Sequence, residues 1–463
     1  MSLFFDVNIY YLNNFFKKVV LFYILWYYIF IFIFYEVKLK TENDKKDKKN
    51  QVDSNKKIKV ALFIDTFFPM IDGVIMVVDN YARLLSDKAE VMVFCPKAEK
   101  DYKDEFVYKV SRCKKMKIFF LDYDLALPTM DKKFEKTLKE FAPDIVHIHS
   151  PFSIGKVGVD YAKKHNLPLV GTIHSHFKQD FYRATKSNWL ADKLLAAVMK
   201  IFNACDECWT VNNAFKDLYI NEYGLTGPVK IQNNATEVKE LVNKETAIQK
   251  MEQMFGIKPN ENMFLFVGRI NALKNIFFIV DALKIVKDKG VKFKMLFVGS
   301  GQDEEKLKEY ITKNGLDDEI IMSGRLEDRQ DVIYAYSRAD LFLFPSLYDS
   351  NSLVQIEAAS QKTPTVFIRD SVTSSTVEDG VSGFKTENDA ESYAEKIIEI
   401  INDKEILSRV SQGAYDNLYK TWDDVVESVY KGYLRLIEAK EQGPKEKTAK
   451  TKKKSKKVSK KTK

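Results

Sequence analysis

Residues 345–357, PSLYDSNSLVQIE, are the stretch on which the reading of this chain turns. The apolar run 341–344 leads into it as a strand, and residues 353–361 carry the chain away at helical spacing, so the loop stands at a strand-to-helix corner. In α/β folds such corners, at the carboxyl ends of strands, are where ligands bind. Asp349 and Glu357 put one carboxylate in the loop and the other about a turn into the helix, both near its N-terminal end. Unpaired N–H groups at a helix start suit a phosphate or sugar oxygen, and carboxylates accept from hydroxyls, so the expected ligand is a polyol beside an anion. Two surface carboxylates would show the same spacing, and the rest of the chain decides between the readings.

Upstream, MFLFVGRINALKN (263–275) reads as a strand followed by Gly268, Arg269 and Lys274. Two cations past a strand end can neutralise a diphosphate, Arg by a bidentate fork and Lys as a point charge, with Lys274 expected as an exposed loop cation. KMLFVGSG (294–301) ends in Gly299 and Gly301 before a helical run over 303–313. This strand-turn-helix has neither a complete G-x-G-x-x-G nor a P-loop Lys, which disfavours a dinucleotide or ATP fold. EIIMSGRLEDRQDVIYAYSRADLFLFPSLYDS, TPTVFIRD and DGVSGF continue the series, each a short strand with a polar exit.

The first half has the same grammar. KVALFIDTF (59–67) is a continuous apolar run suited to a buried parallel strand, and FPMIDGV turns it past Gly73 into a helical segment over 77–85. VMVFCP, DIVHIHS and PLVGTIHSHF then alternate with helical runs over 132–140 and 156–164, which predicts a parallel sheet covered by helices on both faces. Of five histidines, His147, His149, His174 and His176 flank two strand ends, each pair on one side of its strand. They lack a carboxylate or Cys at metal-ligand spacing, so binding residues at strand ends are favoured over a zinc site. Cys205 and Cys208 form a C-x-x-C with no second pair, read as structural. WLADKLLAAVMKIF (189–202) has apolar positions at helical spacing with Lys193 and Lys200 to one side; core packing is the default, and a membrane-facing stripe the sharper alternative.

At 463 residues and 45% hydrophobic content the chain is long enough for two cores, and four scattered cysteines suit a reducing compartment. The net charge of +8 is a property of the C-terminal tail: residues 445–463 hold eleven Lys and one Glu, leaving about −2 upstream. Such a run is disordered by composition and attracted to anionic lipid; without interleaved aromatics, nucleic acid is disfavoured as a partner. At the other end, residues 19–35, VVLFYILWYYIFIFIFY, carry no charge and span about 25 Å as a helix, the short limit for a bilayer crossing. More Lys follow this run than precede it, which by the positive-inside rule puts the body on the cytoplasmic face of the membrane. The alternative, leader sequence read as protein, requires a start other than Met, because no Met lies between Met1 and Met70. The domain expectation is an anchor and charged linker at 1–57, a first domain at 58–238, a second at 239–421, a closing helix at 422–440 and the tail at 441–463.

Taken in order, DTFFPMIDGV, DIVHIHSPF, GTIHSHF, NNATE, VGRINALKN, VGSGQDEEKLK, SGRLEDRQDVIYAYSRADLFLFPSLYDSNSLVQIEAASQKTPTV and DGVSGF resemble the retaining glycosyltransferases of family four. Within that family the chain is similar to bacterial diacylglycerol glucosyltransferases and to cell-surface polysaccharide glycosyltransferases. The resemblance implies the GT-B fold, two Rossmann-like parallel-sheet domains facing a cleft, with a C-terminal helix crossing back to the first. It implies a nucleotide-sugar donor of the UDP-glucose type, a lipid or glycan acceptor, and no cofactor or obligatory metal. Residue by residue, it implies that Gly73 offers its amide to the donor phosphate and that Gly268, Arg269 and Lys274 clamp the diphosphate. Glu357 falls to the ribose, Asp349 to the hexose and His174 to the acceptor side. Gly299, Arg325, Leu326, Asn351, Ser352 and Leu353 complete the donor set. Two departures stand out: Asp349 is one methylene shorter than the family's Glu, and Ser350, Asn351 and Ser352 replace its Gly-rich loop. A catalytically silent, membrane-tethered nucleotide-sugar-binding protein is the alternative that the first departure raises.

Overall fold

The computed structural model describes residues 57–117, 124–347, 349 and 353–442. The expected anchor over 19–35, the Lys-rich tail, and the donor-loop candidates Asn351 and Ser352 lie outside them. Among the described residues no helix is long and apolar enough to cross a membrane.

The chain forms two parallel sheets. The first half runs β1 (Lys59–Phe63), α1 (Gly73–Leu85), β2 (Glu90–Pro96), β3 (Lys109–Cys113) and a small hairpin of β4 (Lys115–Met116) and β5 (Leu125–Ala126). It continues through α2 (Lys132–Phe141), β6 (Ile145–Ile148), α3 (Ser153–His165), β7 (Leu169–Ile173), α4 (Phe177–Thr185), α5 (Asn188–Phe202), β8 (Glu207–Thr210), α6 (Asn213–Asn221) and β9 (Val229–Ile231). The second half runs α7 (Lys244–Phe255), β10 (Asn262–Val267), α8 (Ile276–Asp288), β11 (Phe293–Val298), α9 (Glu304–Lys313), β12 (Ile320–Gly324), α10 (Arg329–Arg338), β13 (Leu341–Leu343) and α11 (Leu353–Ser360). It ends with β14 (Thr365–Ile368), β15 (Phe384–Thr386), α12 (Ala390–Asn402), α13 (Lys404–Leu418) and α14 (Trp422–Glu441).

Strand order is β3-β2-β1-β6-β7-β8-β9 in the first sheet and β12-β11-β10-β13-β14-β15 in the second. Each sheet reverses its direction of winding once, at β1/β6 and at β10/β13, and those switch points leave a crevice beyond the strand exits. The two-fold period of a strand accounts for the layers. Ala61 and Phe63 of β1, with Met92 and Phe94 of β2, enter one core, while Val60, Leu62, Val91 and Val93 enter the core on the opposite face. A third core, built on Phe264, Phe266, Leu296 and Phe342, holds the second sheet.

The closing helix belongs to the first sheet. Trp422, Val425, Val426, Val429, Tyr433 and Leu436 of α14 pack with Ile75, Val78 and Tyr81 of α1 against β1. Tyr433 stacks on Trp209 with ring centroids 5.6 Å apart, and Gly432 lets the helix approach so closely that an added Cβ would stand 3.0 Å from that indole. A reciprocal capping box between Thr421 and Asp424 starts the helix. The chain crosses between the sheets twice, and the crossings lie side by side where Thr236 bridges Thr421.

Two helices start earlier than their apolar spacing predicts, for the same reason. Asp72 Oδ1 accepts from the amides of Val74 and Ile75, drawing α1 back to Gly73. Asp65, from the β1 exit, accepts from the amides of Ile154 and Gly155 and from the hydroxyls of Ser150 and Ser153, drawing α3 back to Ser153. The stripe over 189–202 is core: Ala191, Leu195, Val198, Met199, Ile201 and Phe202 are buried, leaving Trp189 at 70% exposure as its one large apolar side chain in solvent. The sharper reading of an apolar membrane-facing stripe is thereby corrected. Cys205 and Cys208 are buried thiols that donate to the carbonyls of Ile201 and Phe202.

Candidate active site

At the β10/β13 switch point the second sheet gathers the residues singled out in its loops. Beyond β10, a short 3₁₀ turn over Ala272–Lys274 ends at Asn275, whose φ of 60° turns the chain into α8 and whose side-chain Nδ2 donates to the Pro345 carbonyl at 3.2 Å. This ties the loop after β10 to the loop after β13. Lys274 pairs with Asp349 across that tie, and its ammonium stands 6.0 Å from the centre of the Phe344 ring. The Lys274 and Asp349 side chains are only 20% and 15% exposed, so Lys274 is not the exposed loop cation expected from the sequence. The pairing satisfies one carboxylate oxygen of Asp349; the other, Oδ2, is buried without a hydrogen-bond partner.

Glu357 is 8% exposed in the second turn of α11, which overturns the surface reading of that carboxylate. It accepts from the Arg329 guanidinium and from the Tyr336 hydroxyl at 3.1 Å. Burial and that carboxylate push the Tyr336 hydroxyl well above its ordinary pKa. Neither Arg329 nor Tyr336 was singled out in the sequence, although both lie in the helical run after Gly324, and Tyr336 sits at an apolar position of it.

The glycines of these loops serve close backbone approach. A Cβ at Gly299, where φ is +135°, would lie 2.0 Å from the Gly268 carbonyl oxygen, and one at Gly301 would lie 2.2 Å from that of Ile270. Gly268 donates to Val298 at 3.0 Å, Gly299 to Gly324 at 2.8 Å, and Ala272 to the Asp303 carboxylate at 2.9 Å. The exits of β10, β11 and β12 are thus laced together, which explains Gly299 without a ligand. Arg269 and Arg325 leave this laced edge exposed to solvent, while Leu326 packs half-buried on the core of the second sheet. Leu353, at the start of α11, packs against the core of the first domain.

The first domain presents Gly73 and the histidines. Gly73 opens α1, an added Cβ there would meet nothing within 4 Å, and its amide is not among those that Asp72 occupies. The preceding loop is held by Arg112, which donates to the carbonyls of Phe68 at 3.0 Å and Pro96 at 2.7 Å while forking onto Asp104. His147 is fully buried, and its two ring nitrogens lie 2.6 Å from the hydroxyls of Tyr433 and Thr172, so it fastens β6 to the closing helix. His149 lies 4.0 Å from His147, ring centre to ring centre, and its Nδ1 is 3.1 Å from His174 Nε2. Burial holds His147 and His149 well below the ordinary histidine value and His174 at about 3, so all three are neutral at physiological pH. His176 stands apart, its ring against Phe215 and Tyr223.

Asp349, Lys274 and Glu357 are therefore brought to one sheet edge, and His149 and His174 to the other. Such an arrangement offers cations and a helix start to an anion, and carboxylates and imidazoles to hydroxyls.

Comparison with known proteins agrees with this architecture. Residues 71–240 match the model of Glycosyltransferase Family 4 and residues 247–417 that of Glycosyl transferases group 1. The chain is 22% identical over 314 residues to alpha-monoglucosyldiacylglycerol synthase of Streptococcus pneumoniae, covering 67% of this chain and 70% of that one. It is 25% identical over 370 residues to the protein of the same name from Acholeplasma laidlawii, covering 77% and 92%. Among solved structures it superposes on sucrose-phosphate synthase from Thermosynechococcus elongatus with a TM-score of 0.69 at 18% identity, over 82% of this chain and all of that one. It also superposes on Anabaena HepE, solved with UDP and glucose, with a TM-score of 0.65 at 16% identity, over 82% and 100%. The fold is GT-B, and the chain belongs to the glycosyltransferases that join a family 4 domain to a group 1 domain.

Proposed function

We propose that this glycosyltransferase transfers a hexose, with retention at the anomeric carbon, from a UDP-glucose-type donor to a membrane lipid such as diacylglycerol. The observation that carries the donor side is the convergence of Lys274, Asp349 and Glu357 at the β10/β13 switch point, with the α11 N-terminus beside them. The names of the two relatives at 22% and 25% identity support the acceptor.

Breaking the sugar–phosphate bond builds positive charge at the anomeric carbon and negative charge on the departing diphosphate, so the groups required are cations and amides aimed at phosphate oxygens. Arg269 and Lys274 take the diphosphate with the amides of Gly73 and Leu353, Glu357 takes the ribose hydroxyls, and Asp349 takes the hexose. Gly268 lets the loop turn, while Arg325, Leu326, Asn351 and Ser352 border the nucleotide. For Lys274 to reach a phosphate it must share or leave Asp349, whose unpartnered Oδ2 already offers a site to a sugar hydroxyl. In a front-face displacement the acceptor oxygen bonds to the anomeric carbon on the side from which the phosphate departs, and the acceptor's proton passes to a phosphate oxygen. That route needs neither a protein nucleophile nor a general base. Closure of the two domains over the donor excludes water and orients the acceptor. Residues 19–35 and the Lys-rich tail place the catalytic body at the cytoplasmic membrane face.

The test is a panel of UDP and GDP hexoses with diacylglycerol and total lipid extract, with the product's anomeric configuration read by NMR. UDP-glucose and diacylglycerol should give an α-linked monoglycosyl lipid. A β-linked product would overturn retention, and transfer to glycan fragments but not to any lipid would overturn the acceptor.

A further inference from the structure

We propose that His149 is a positioning residue that fixes His174 in the tautomer protonated on Nδ1, so that His174 acts in the cleft as a hydrogen-bond donor and not as a base. The second half of that statement rests on the reading of His174 as a site residue; the first does not.

The argument starts from the capacity of a neutral imidazole, which has one N–H and one bare lone pair. His149 is 3% exposed, and its two nitrogens meet different fates. Nδ1 faces His174 Nε2 at 3.1 Å, while Nε2 is buried with no hydrogen-bond partner. Putting the proton on Nε2 would bury an N–H with nothing to receive it, and an orphaned buried donor is rarer in proteins than an under-used acceptor. The proton therefore sits on Nδ1 and is donated to His174. His174 Nε2 must then be the bare nitrogen, which leaves the His174 proton on Nδ1, the form that a free histidine side chain favours less in water.

The surroundings keep this arrangement from relaxing. His147 cannot supply His149 with a partner, since its nitrogens are engaged by Tyr433 and Thr172. The His149 ring is held between His147, 4.0 Å away between ring centres, and the edge of Tyr81 at 5.7 Å. The rings of His149 and His174 are inclined by only 18°. Burial keeps all three imidazoles neutral, so the question is one of tautomer and not of charge. A lone pair committed to His149 on one nitrogen and a proton on the other leave His174 nothing with which to take an acceptor's proton.

The experiment is a long-range proton–nitrogen NMR correlation on the full chain labelled with ¹⁵N-histidine. The five histidines make the spectrum sparse, and single substitutions assign it. At neutral pH His174 should show a protonated Nδ1 and an unprotonated Nε2. His149→Asn, whose amide can donate from nearly the position of Nδ1, should preserve that pattern, while His149→Phe should return His174 toward a protonated Nε2. A protonated Nε2 in the unmodified protein, or an unchanged His174 tautomer in a folded His149→Phe variant, would overturn the proposal. Turnover separates it from the reading it rests on: His149→Phe should lower kcat about tenfold with little change in the donor KM, and His149→Asn should restore it. A tautomer that moves while kcat does not would support the role of His149 and remove His174 from the site.

Discussion

Lys274 and Asp349 stand 75 positions apart in the chain and form an ion pair across the exits of two adjacent strands, β10 and β13. The pair couples the loop after β10, a basic one, to the loop after β13, an acidic one. Each side chain is mostly buried, so neither can be removed without leaving the other uncompensated. Lys274→Ala should therefore cost stability, by about 1–3 kcal/mol, besides weakening the donor. A double-mutant cycle with Asp349→Ala, followed by urea unfolding, should return a coupling energy of about 1 kcal/mol or more. Additive losses would mean the pair contributes nothing, and unchanged UDP affinity in calorimetry would remove Lys274 from the diphosphate.

The carboxylates should divide the ligand between them. Glu357→Gln keeps the shape of the side chain but leaves Arg329 facing a neutral amide, so free UDP should bind about tenfold more weakly. Asp349→Asn should leave free UDP nearly unaffected and weaken the sugar-bearing donor. Equal effects of both variants on free UDP would show that the division is wrong.

How much of this could be read from residues follows from the range of the interactions. The parallel sheets were legible because β1, β10 and β13 are largely continuous apolar runs, and a strand buried on both faces leaves no other pattern. The closing helix expected over 422–440 does carry Val425, Val426, Val429, Tyr433 and Leu436 on one buried stripe, and its return to the first domain was expected from the family resemblance and not from that stripe. Pairings were hidden wherever the partner is remote. Lys274 and Asp349 were both named yet assigned to separate tasks, and Arg329, the partner of Glu357, was passed over because a charged residue in a helix is ordinarily solvated. Asp65 was missed as the cap of α3, 88 positions away from Ser153, because capping is expected from the residue just before a helix. Gly299 entered the donor set through the family resemblance, and the backbone packing it permits, with an added Cβ only 2.0 Å from the Gly268 carbonyl oxygen, could not be read from its place after a strand.

Acid should destabilise the protein earlier than its carboxylates alone require. His147, His149 and His174 are neutral when folded, with pKa values lowered from 6.5 by burial, to about 3 for His174. The unfolded chain takes up protons near pH 6.5 and the folded chain does not, so this stability is complete above pH 6.5 and is lost as pH falls toward the folded values. Each imidazole contributes a slope of up to about 1.4 kcal/mol per pH unit. Urea midpoints between about pH 7 and 5 should fall steeply, and His149→Asn should make that slope shallower. A flat profile over that window would mean that the folded protein already carries the protons.

Membrane attachment should reside in the two ends of the chain and not in the α5 stripe, because the apolar positions of that helix are occupied in the core. What α5 offers outward is Trp189, with Lys193 and Lys200 exposed along the same helix. An indole and two cations suit the headgroup region, but they are too little for stable anchoring by themselves. Residues 445–463 carry +10, and each Lys near an anionic surface contributes about 1 kcal/mol that falls with salt. If the apolar segment over 19–35 and this tail both engage the bilayer they should behave as linked contacts, engaging one raising the effective concentration of the other. Deleting residues 1–55 should release most of the protein from membranes. Deleting residues 443–463 should abolish the preference for anionic over neutral vesicles and its salt dependence, while turnover of a soluble acceptor analogue persists. Trp189→Ala should weaken vesicle binding less than either deletion. Flotation with anionic and neutral liposomes at low and high salt measures all three. A full-length protein that ignores anionic vesicles would deprive the lipid acceptor of its support from the two ends of the chain.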